Sequence, residues 1–273
     1  MTFKSILMHL DVDASPEGRF PIGLELAARF DAKLRCVSAA APFYPMETGT
    51  SSATAAEIVG DEIDAIRTRQ RDLYASLTTL APFRHHVDWH ATIADPTRNV
   101  VEQSCGADLV VLFRLDKGQL ADDRRTLDIA TVLLEAGRPI FVPATSRLAS
   151  SADCVVIAWK NSREARRATL DAMPLLRQAR DVVILGVEDG GSGEIAFLDD
   201  VIRMLSLHGV RARGLVKPKR SSVALAIIET AVQLKADILV AGGYGHSRLR
   251  EWAFGGVTRT LLKDCPIDLF ISN

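Results

Sequence analysis

Short apolar runs recur along the chain, each closed by a polar or glycine-bearing loop and followed by apolar residues at three- and four-residue spacing. A compact apolar run bounded by turn residues reads as a buried strand, and the three-four spacing reads as a helix with one face on a core. Ser5 to Val12 is such a strand, ending in the carboxylates Asp11 and Asp13. Ser15-Pro16-Glu17 offers an N-cap with proline at the first helical position, ahead of the stripe Ile22, Leu26, Ala27 and Phe30. Pro21 is expected to kink that helix or delay its start. Leu34 to Ala39 is the next strand, and Ala55 to Leu80, with Ile58, Ile63, Ile66, Leu73 and Leu77, is a long helix. Arg84 to Ile93 alternates as a strand, and Asp95-Pro96 caps a helix through Val100, Val101 and Cys105. Asp108 to Phe113 (strand), Leu127 to Glu135 (helix) and Pro139 to Val142 (strand) complete the first half.

After a Ser/Ala-rich stretch, Thr145 to Ala152, the same order begins again. Cys154 to Trp159 is a strand, and Asn161 or Ser162 caps a helix carrying Ala165, Ala168, Ala172 and Leu176. Val182 to Val187 is a strand, Ile195 to Leu207 a helix, and Val210 to Val216 a strand. Ser221 or Ser222 caps a helix with Ala224, Ile227, Ile228, Ala231 and Leu234. The halves also match in letters: Gly106-Ala107-Asp108-Leu109-Val110-Val111 against Lys235-Ala236-Asp237-Ile238-Leu239-Val240, and Arg138-Pro139-Ile140 against Cys265-Pro266-Ile267. Alternating strands and helices in two copies predict an α/β protein of two similar doubly wound domains, residues 1–146 and 147–273. Each is expected to be a five-stranded parallel sheet flanked by helices, the pair forming an intramolecular pseudo-dimer about a pseudo-two-fold, with a further homodimer left open.

Composition changes this picture little. At 273 residues with a formal charge of −1, the chain is long enough for two cores and carries no basic excess for nucleic acid or a membrane surface. The apolar run Ile6 to Leu10 is too short for a signal segment, and no stretch approaches the roughly 20 apolar residues of a membrane span. A cytoplasmic protein is expected. Cys36, Cys105, Cys154 and Cys265 form no Cys-x-x-Cys pair and read as small core residues in a reducing compartment.

The stretch with chemistry is Ala236 to Pro266. Its apolar run, Ile238 to Ala241, stops at Gly242, Gly243 and Gly245, and a helix restarts behind Gly255-Gly256. Strand, glycine loop and helix N-terminus let backbone N–H groups close around an anion, because glycine permits both the turn and the close approach. The same glycines could also serve only to turn the chain.

These features resemble a tandem universal stress protein. The first-strand pattern Ile6-Leu7-Met8-His9-Leu10-Asp11, the Ala-Asp-apolar approach to the fourth strand in both halves, and Gly242-x-x-Gly245 followed nine residues later by Gly255-Gly256 carry the resemblance over nearly the whole chain. It implies a Rossmann-like, adenine nucleotide alpha hydrolase-like fold with strand order 3-2-1-4-5, and ATP or AMP in the crevice between strands one and four, with magnesium only as the nucleotide's own counter-ion. The nucleotide-binding residues implied here are Gly242, Gly245, Gly255, Gly256, Val257, Thr258, Lys160 and Val187. Two positions depart from the family pattern: Gly256 stands where a Ser or Thr is expected, and Lys160 where an aspartate is expected. In the first half Asp11 keeps the carboxylate, but Phe113, Asp116, Asp128 and Ile129 fall where the second half has Gly242, Gly245, Gly255 and Gly256. Side chains and the charges of Asp116, Asp122 and Asp123 are expected to exclude phosphate there.

The resemblance implies a stress-response or regulatory protein acting on an unknown protein partner, not an enzyme beyond, at most, weak ATP hydrolysis, for which only the bare glycine loop speaks. The alternative is a nucleotide-independent scaffold of the same fold. No Gly-x-Ser-x-Gly elbow and no Gly-x-x-x-x-Gly-Lys-Ser/Thr loop occurs. Arg248 and Arg250 could screen phosphates or be solvated surface; Trp252 and Phe254 read as packing residues. His86, Asp88 and His90 alternate along one strand, as metal ligands or as the polar face of an edge. Asp189 to Gly193 reads as a turn.

Overall fold

The computed structural model describes residues 2–44, 52–80, 87–115, 122–144, 152–188, 197–219, 222–244 and 256–273. Contacts divide the chain into two compact units, Lys4–Ala136 and Gly137–Asn273, the latter joined by Met1–Phe3.

The first unit contains β1 (Ser5–His9), α1 (Phe20–Phe30), β2 (Lys33–Ala40), α2 (Ser52–Leu80), β3 (Val87–Ile93), α3 (Pro96–Gln103), β4 (Leu109–Val111) and α4 (Ile129–Glu135). Its strands lie in the order β3-β2-β1-β4 and pair in parallel. Ile6, Leu7, Met8, Val110 and Val111 are almost wholly buried, as continuous apolar runs covered on both faces must be. α1 begins at Phe20, later than the Ser15-Pro16 cap predicted. The Pro16 carbonyl instead accepts from the N–H groups of Arg19 and Phe20 at 3.1 and 2.8 Å, closing a turn, and Pro21 takes the first helical turn, where no N–H is needed. The Asp95 cap stands as read, its carboxylate accepting from Arg98 N–H at 2.7 Å.

α2 runs for 29 residues and buries only Ile66, Gln70, Leu73 and Leu77, a single stripe at three-four spacing. Gln70 Nε2 donates to the carbonyls of Ser38 and Thr92 at 3.3 and 3.1 Å, fastening the helix across β2 and β3.

The second unit contains β5 (Ile140–Val142), β6 (Cys154–Trp159), α5 (Arg163–Asp171), α6 (Met173–Leu176), β7 (Asp181–Glu188), α7 (Leu198–Leu207), β8 (Ala212–Pro218), α8 (Val223–Gln233), β9 (Ile238–Gly242), α9 (Val257–Asp264) and β10 (Asp268–Ser272). Strand order is β5-β10-β9-β6-β7-β8. The five strands β10-β9-β6-β7-β8 are parallel, which is the order 3-2-1-4-5 read from its other edge. β5 is the exception: it pairs antiparallel with β10, Phe141 opposite Phe270. Both rings are fully buried, and Phe3 stacks on Phe270 with centroids 6.3 Å apart. Of the alternative caps, Ser162 and Ser222 are the ones used, accepting from Ala165 and Leu225 N–H.

Cys36 and Cys265 are buried, Cys154 is half-buried and Cys105 is exposed, so the reading of core cysteines fails for Cys105, which sits in a short 3-10 turn after α3. Burial pushes the Cys36 thiol up to about 12, with the Asp88 carboxylate adding to the shift. Among the described residues, no helix is long and apolar enough to cross a membrane.

Candidate functional site

In the second unit the chain leaves β6 toward β7 on one side, and β9 lies on the other. This is the switch point at which an open α/β sheet leaves a crevice beyond its carboxyl ends. Trp159 pairs with Gly186 and Ala158 with Ala241, so Lys160, Val187 and Gly242 end or follow three neighbouring strands at nearly one level. Val187 is buried and Lys160 exposed. The Lys160 carbonyl accepts from Ser162 N–H at 2.6 Å, turning the backbone directly into the α5 cap.

Gly242 has a packing reason of its own. A Cβ there would stand 2.6 Å from both Ala165 N and Glu164 C, so the N-terminal turn of α5 reaches the end of β9 only because position 242 carries no side chain.

Two amides of the glycine loop are already engaged. Gly243 N–H donates to the Ser272 carbonyl at 2.8 Å, while its own carbonyl accepts from Asn273 Nδ2 at 2.8 Å. Tyr244, held at φ +52°, donates its N–H to Thr258 Oγ1 at 3.1 Å. Thr258 is buried, so its hydroxyl serves as the latch between the two ends of the loop.

Gly256 is the N-cap of α9, with φ −54° and ψ 152° and no side-chain cap. Among the described residues, a Cβ at Gly256 would meet nothing within 4 Å. Val257 and Thr258 form the first turn of α9, whose N–H groups have no partner inside the helix. The structure therefore joins Gly242 to Gly256, Val257 and Thr258 through the Tyr244–Thr258 bond. Gly245, Gly255, Arg248, Arg250, Trp252, Phe254, Asp189 to Gly193, Asp116 and His86 lie outside the described residues.

Trp159 was not singled out in the sequence. It is 6% exposed at the end of β6, and its indole Nε1 has no hydrogen-bond partner among the described residues. An apolar strand ending in tryptophan gives no sequence signal that the ring's one donor is left over.

The first unit treats the equivalent place differently. Asp11 is buried and accepts from Arg19 Nη1 at 2.5 Å, and His9 Nδ1 lies 3.6 Å from the same carboxylate. The Arg19 guanidinium stands over the Phe113 ring, 5.2 Å from its centroid. Burial pushes the His9 imidazole below its ordinary range; Asp11 opposes that shift and Arg19 adds to it. Arg19, missed in the sequence, thus satisfies the carboxylate that the resemblance assigned to a ligand.

The helix that follows is closed in the same way. The Asp128 carboxylate accepts from the N–H groups of Ala130 and Thr131 at 3.1 and 3.3 Å, so the N-terminus of α4 already has its anion. Arg125 bridges Asp13 and Glu62 at 3.2 Å each, Arg69 also meets Asp13, and Arg124 clasps Asp122 with two bonds.

Asp88 of β3 accepts from His90 Nε2 at 3.1 Å and from Arg35 Nε at 3.3 Å. Its slight burial raises its pKa, but the bond and charge of His90, followed by those of Arg35, outweigh that and hold the carboxyl below its usual range. Among the described residues there is no cluster of three His, Cys, Asp or Glu side chains suited to a metal.

No family model matches the chain, and no curated protein matches it. Solved structures do. A universal stress protein from Archaeoglobus fulgidus DSM 4304 superposes with a TM-score of 0.75 at 14% identity, covering 98% of this chain and 96% of that one. A functionally unknown protein from Pseudomonas aeruginosa PAO1 gives 0.63 at 15% identity over 99% and 92%, and a putative universal stress protein from Pseudomonas aeruginosa UCBPP-PA14 gives 0.61 at 16% over 99% and 93%. At these identities the likeness is one of fold: the chain has the two-copy α/β architecture of universal stress proteins.

Proposed function

We propose that the protein is a stress-response or regulatory binding protein whose second unit holds an adenine nucleotide or a related anion. The ligand would lie beyond the carboxyl ends of β6 and β9, with Lys160, Val187, Gly242, Gly245, Gly255, Gly256, Val257 and Thr258 around it, and the first unit would act as a scaffold. Magnesium would enter only with ATP. The observation that carries this reading is the contrast between two helix starts: Asp128 caps α4 with its own carboxylate, whereas α9 begins at Gly256 with no side-chain cap and, among the described residues, nothing within 4 Å of where a Cβ would stand.

A second reading is a nucleotide-independent interaction module. The prior use of the Gly243 and Tyr244 amides favours it, because it leaves the loop fewer donors for phosphate.

The test is mass spectrometry of small molecules released from freshly purified, denatured protein, followed by thermal-shift titration with ATP and AMP. Binding should strengthen about tenfold in Gly256→Ser, whose hydroxyl supplies one more bond to a charged group, and vanish in Gly245→Val. No released nucleotide and no shift at millimolar ATP in either form would transfer the assignment to the interaction module.

A further inference from the structure

Independent of the second unit's crevice, the edge of the first unit's sheet carries its own surface. β3 is the end strand of the order β3-β2-β1-β4. All seven of its residues are in register with β2 on one side, and among the described residues no strand lies on the other. Among the described residues its outward N–H and C=O groups are thus an unpaired template of the kind that folded proteins usually protect with lysine or proline. In the second unit the end strand β8 has that protection in Arg213, Lys217 and Pro218. β3 has neither lysine nor proline, and its lone carboxylate, Asp88, is already held by Arg35 and His90.

Beside this edge the flank of α2 forms a groove with β3, lined by Arg67, Gln70, Arg71, Tyr74, Trp89 and Ala91. Tyr74 is 48% exposed, and its ring stacks on Trp89 with centroids 6.0 Å apart. Tryptophan, tyrosine and arginine are the side chains over-represented where binding energy concentrates in protein interfaces. Arg71 makes its bonds to the Arg67 carbonyl and Thr68 Oγ1, and no carboxylate among the described residues pairs with it. Arg67 already meets Asp64 at 3.4 Å, but both side chains of that pair are exposed, where such a pair is weak and exchangeable. The groove is apolar and aromatic at its floor, carries the cation of Arg71 at its rim, and is bordered by a strand that can accept another.

We propose that β3 and the α2 flank are a docking site for an extended acidic segment of a partner protein, which pairs with the β3 backbone and sets its carboxylates against Arg67 and Arg71. The backbone supplies sequence-independent bonds, and the groove selects alternate side chains of the added strand. The cationic rim sets the sign of the partner's charge.

The experiment uses the full chain and a fluorescein-labelled peptide of alternating valine and glutamate, with a valine–lysine peptide and a labelled oligothymidine alongside. Fluorescence anisotropy should give saturable binding of the glutamate peptide at or below about 1 mM. Hydrogen exchange should show added protection confined to the β3 amides. Arg71→Glu, a change at an exposed position, should weaken the glutamate peptide about five- to tenfold and favour the lysine peptide instead. Tyr74→Ala should weaken both. Absence of saturable binding overturns the proposal, as does equal affinity for the two peptides in wild type and Arg71→Glu alike. Protection of the same amides by oligothymidine, or by self-association seen in sedimentation without peptide, would assign the edge to a nucleic acid or to a second copy and overturn it as well.

Discussion

The backbone N–H of Tyr244 donates to the hydroxyl of Thr258 at 3.1 Å, joining the end of β9 to the first turn of α9 across the glycine loop. Tyr244 reaches this bond at φ +52°, a left-handed conformation that a bulky residue adopts only when its surroundings hold it there. Thr258→Val keeps the shape and removes the acceptor. The variant should lose about 1–3 kcal/mol, and the Tyr244 amide should exchange faster, while Thr258→Ser should retain both. Native-state hydrogen exchange at Tyr244 checks this directly; unchanged exchange in the valine variant would rule out the latch.

Gly242 separates packing from ligand binding. Its missing side chain admits α5, whose backbone would lie 2.6 Å from an added Cβ, and backbone does not yield as a flexible side-chain tip would. Gly242→Ala should therefore destabilise by about 1–3 kcal/mol in the absence of any nucleotide. Gly186→Ala, where the nearest atom is the Leu198 Cδ1 at 3.9 Å, should be close to neutral. Equal denaturant midpoints for the two variants would contradict the packing role.

The strands and their repeat were legible because each strand is a short apolar run fenced by turn residues, and because the Ala-Asp-apolar pattern appears before both β4 and β9, whereas their order in the sheet came only with the family resemblance. The antiparallel pairing of β5 with β10 was not, since three buried apolar residues carry no mark of which neighbour they meet or in which direction. At the site, the glycines and the helix start announced themselves by residue type. The bonds of Gly243 to Ser272 and of Tyr244 to Thr258 did not, because main-chain donors look alike in a sequence. Arg19 escaped notice for a related reason: a lone arginine ahead of a helix reads as solvated, and only the fold brings it to Asp11.

Buried His9 makes stability depend on pH. Burial lowers its pKa in the folded chain, with Asp11 opposing and Arg19 adding to that shift, so the folded state binds fewer protons than the unfolded one. This contribution is fully present above the unfolded value of about 6.5 and is lost as pH falls through the lower folded value. Its Nε2 has no partner among the described residues to receive the proton's charge. Thermal melts from neutral toward acid pH should fall less steeply for His9→Leu than for wild type. Parallel slopes would mean that His9 does not titrate with unfolding.

The pairing of Arg19 with Asp11 explains how the first unit keeps a carboxylate at the end of β1 without offering it to a ligand. Both side chains are less than a tenth exposed, and their closest atoms are 2.5 Å apart. Removing the cation alone strands a buried charge, which typically costs about 3–5 kcal/mol, whereas replacing both partners with apolar residues of similar volume is often neutral. Arg19→Met should thus destabilise strongly, and Arg19→Met with Asp11→Leu should recover most of the loss. If Asp11 were instead kept as a ligand group, Arg19→Met would free it, and adenosine would raise the melting temperature of the single variant but not of the double one. The arrangement around Phe113 and Asp128 predicts no such rise, because the ring and the helix cap remain in place when Arg19 is gone. Melting curves of both variants with and without adenosine distinguish a buried ion pair from a masked binding site.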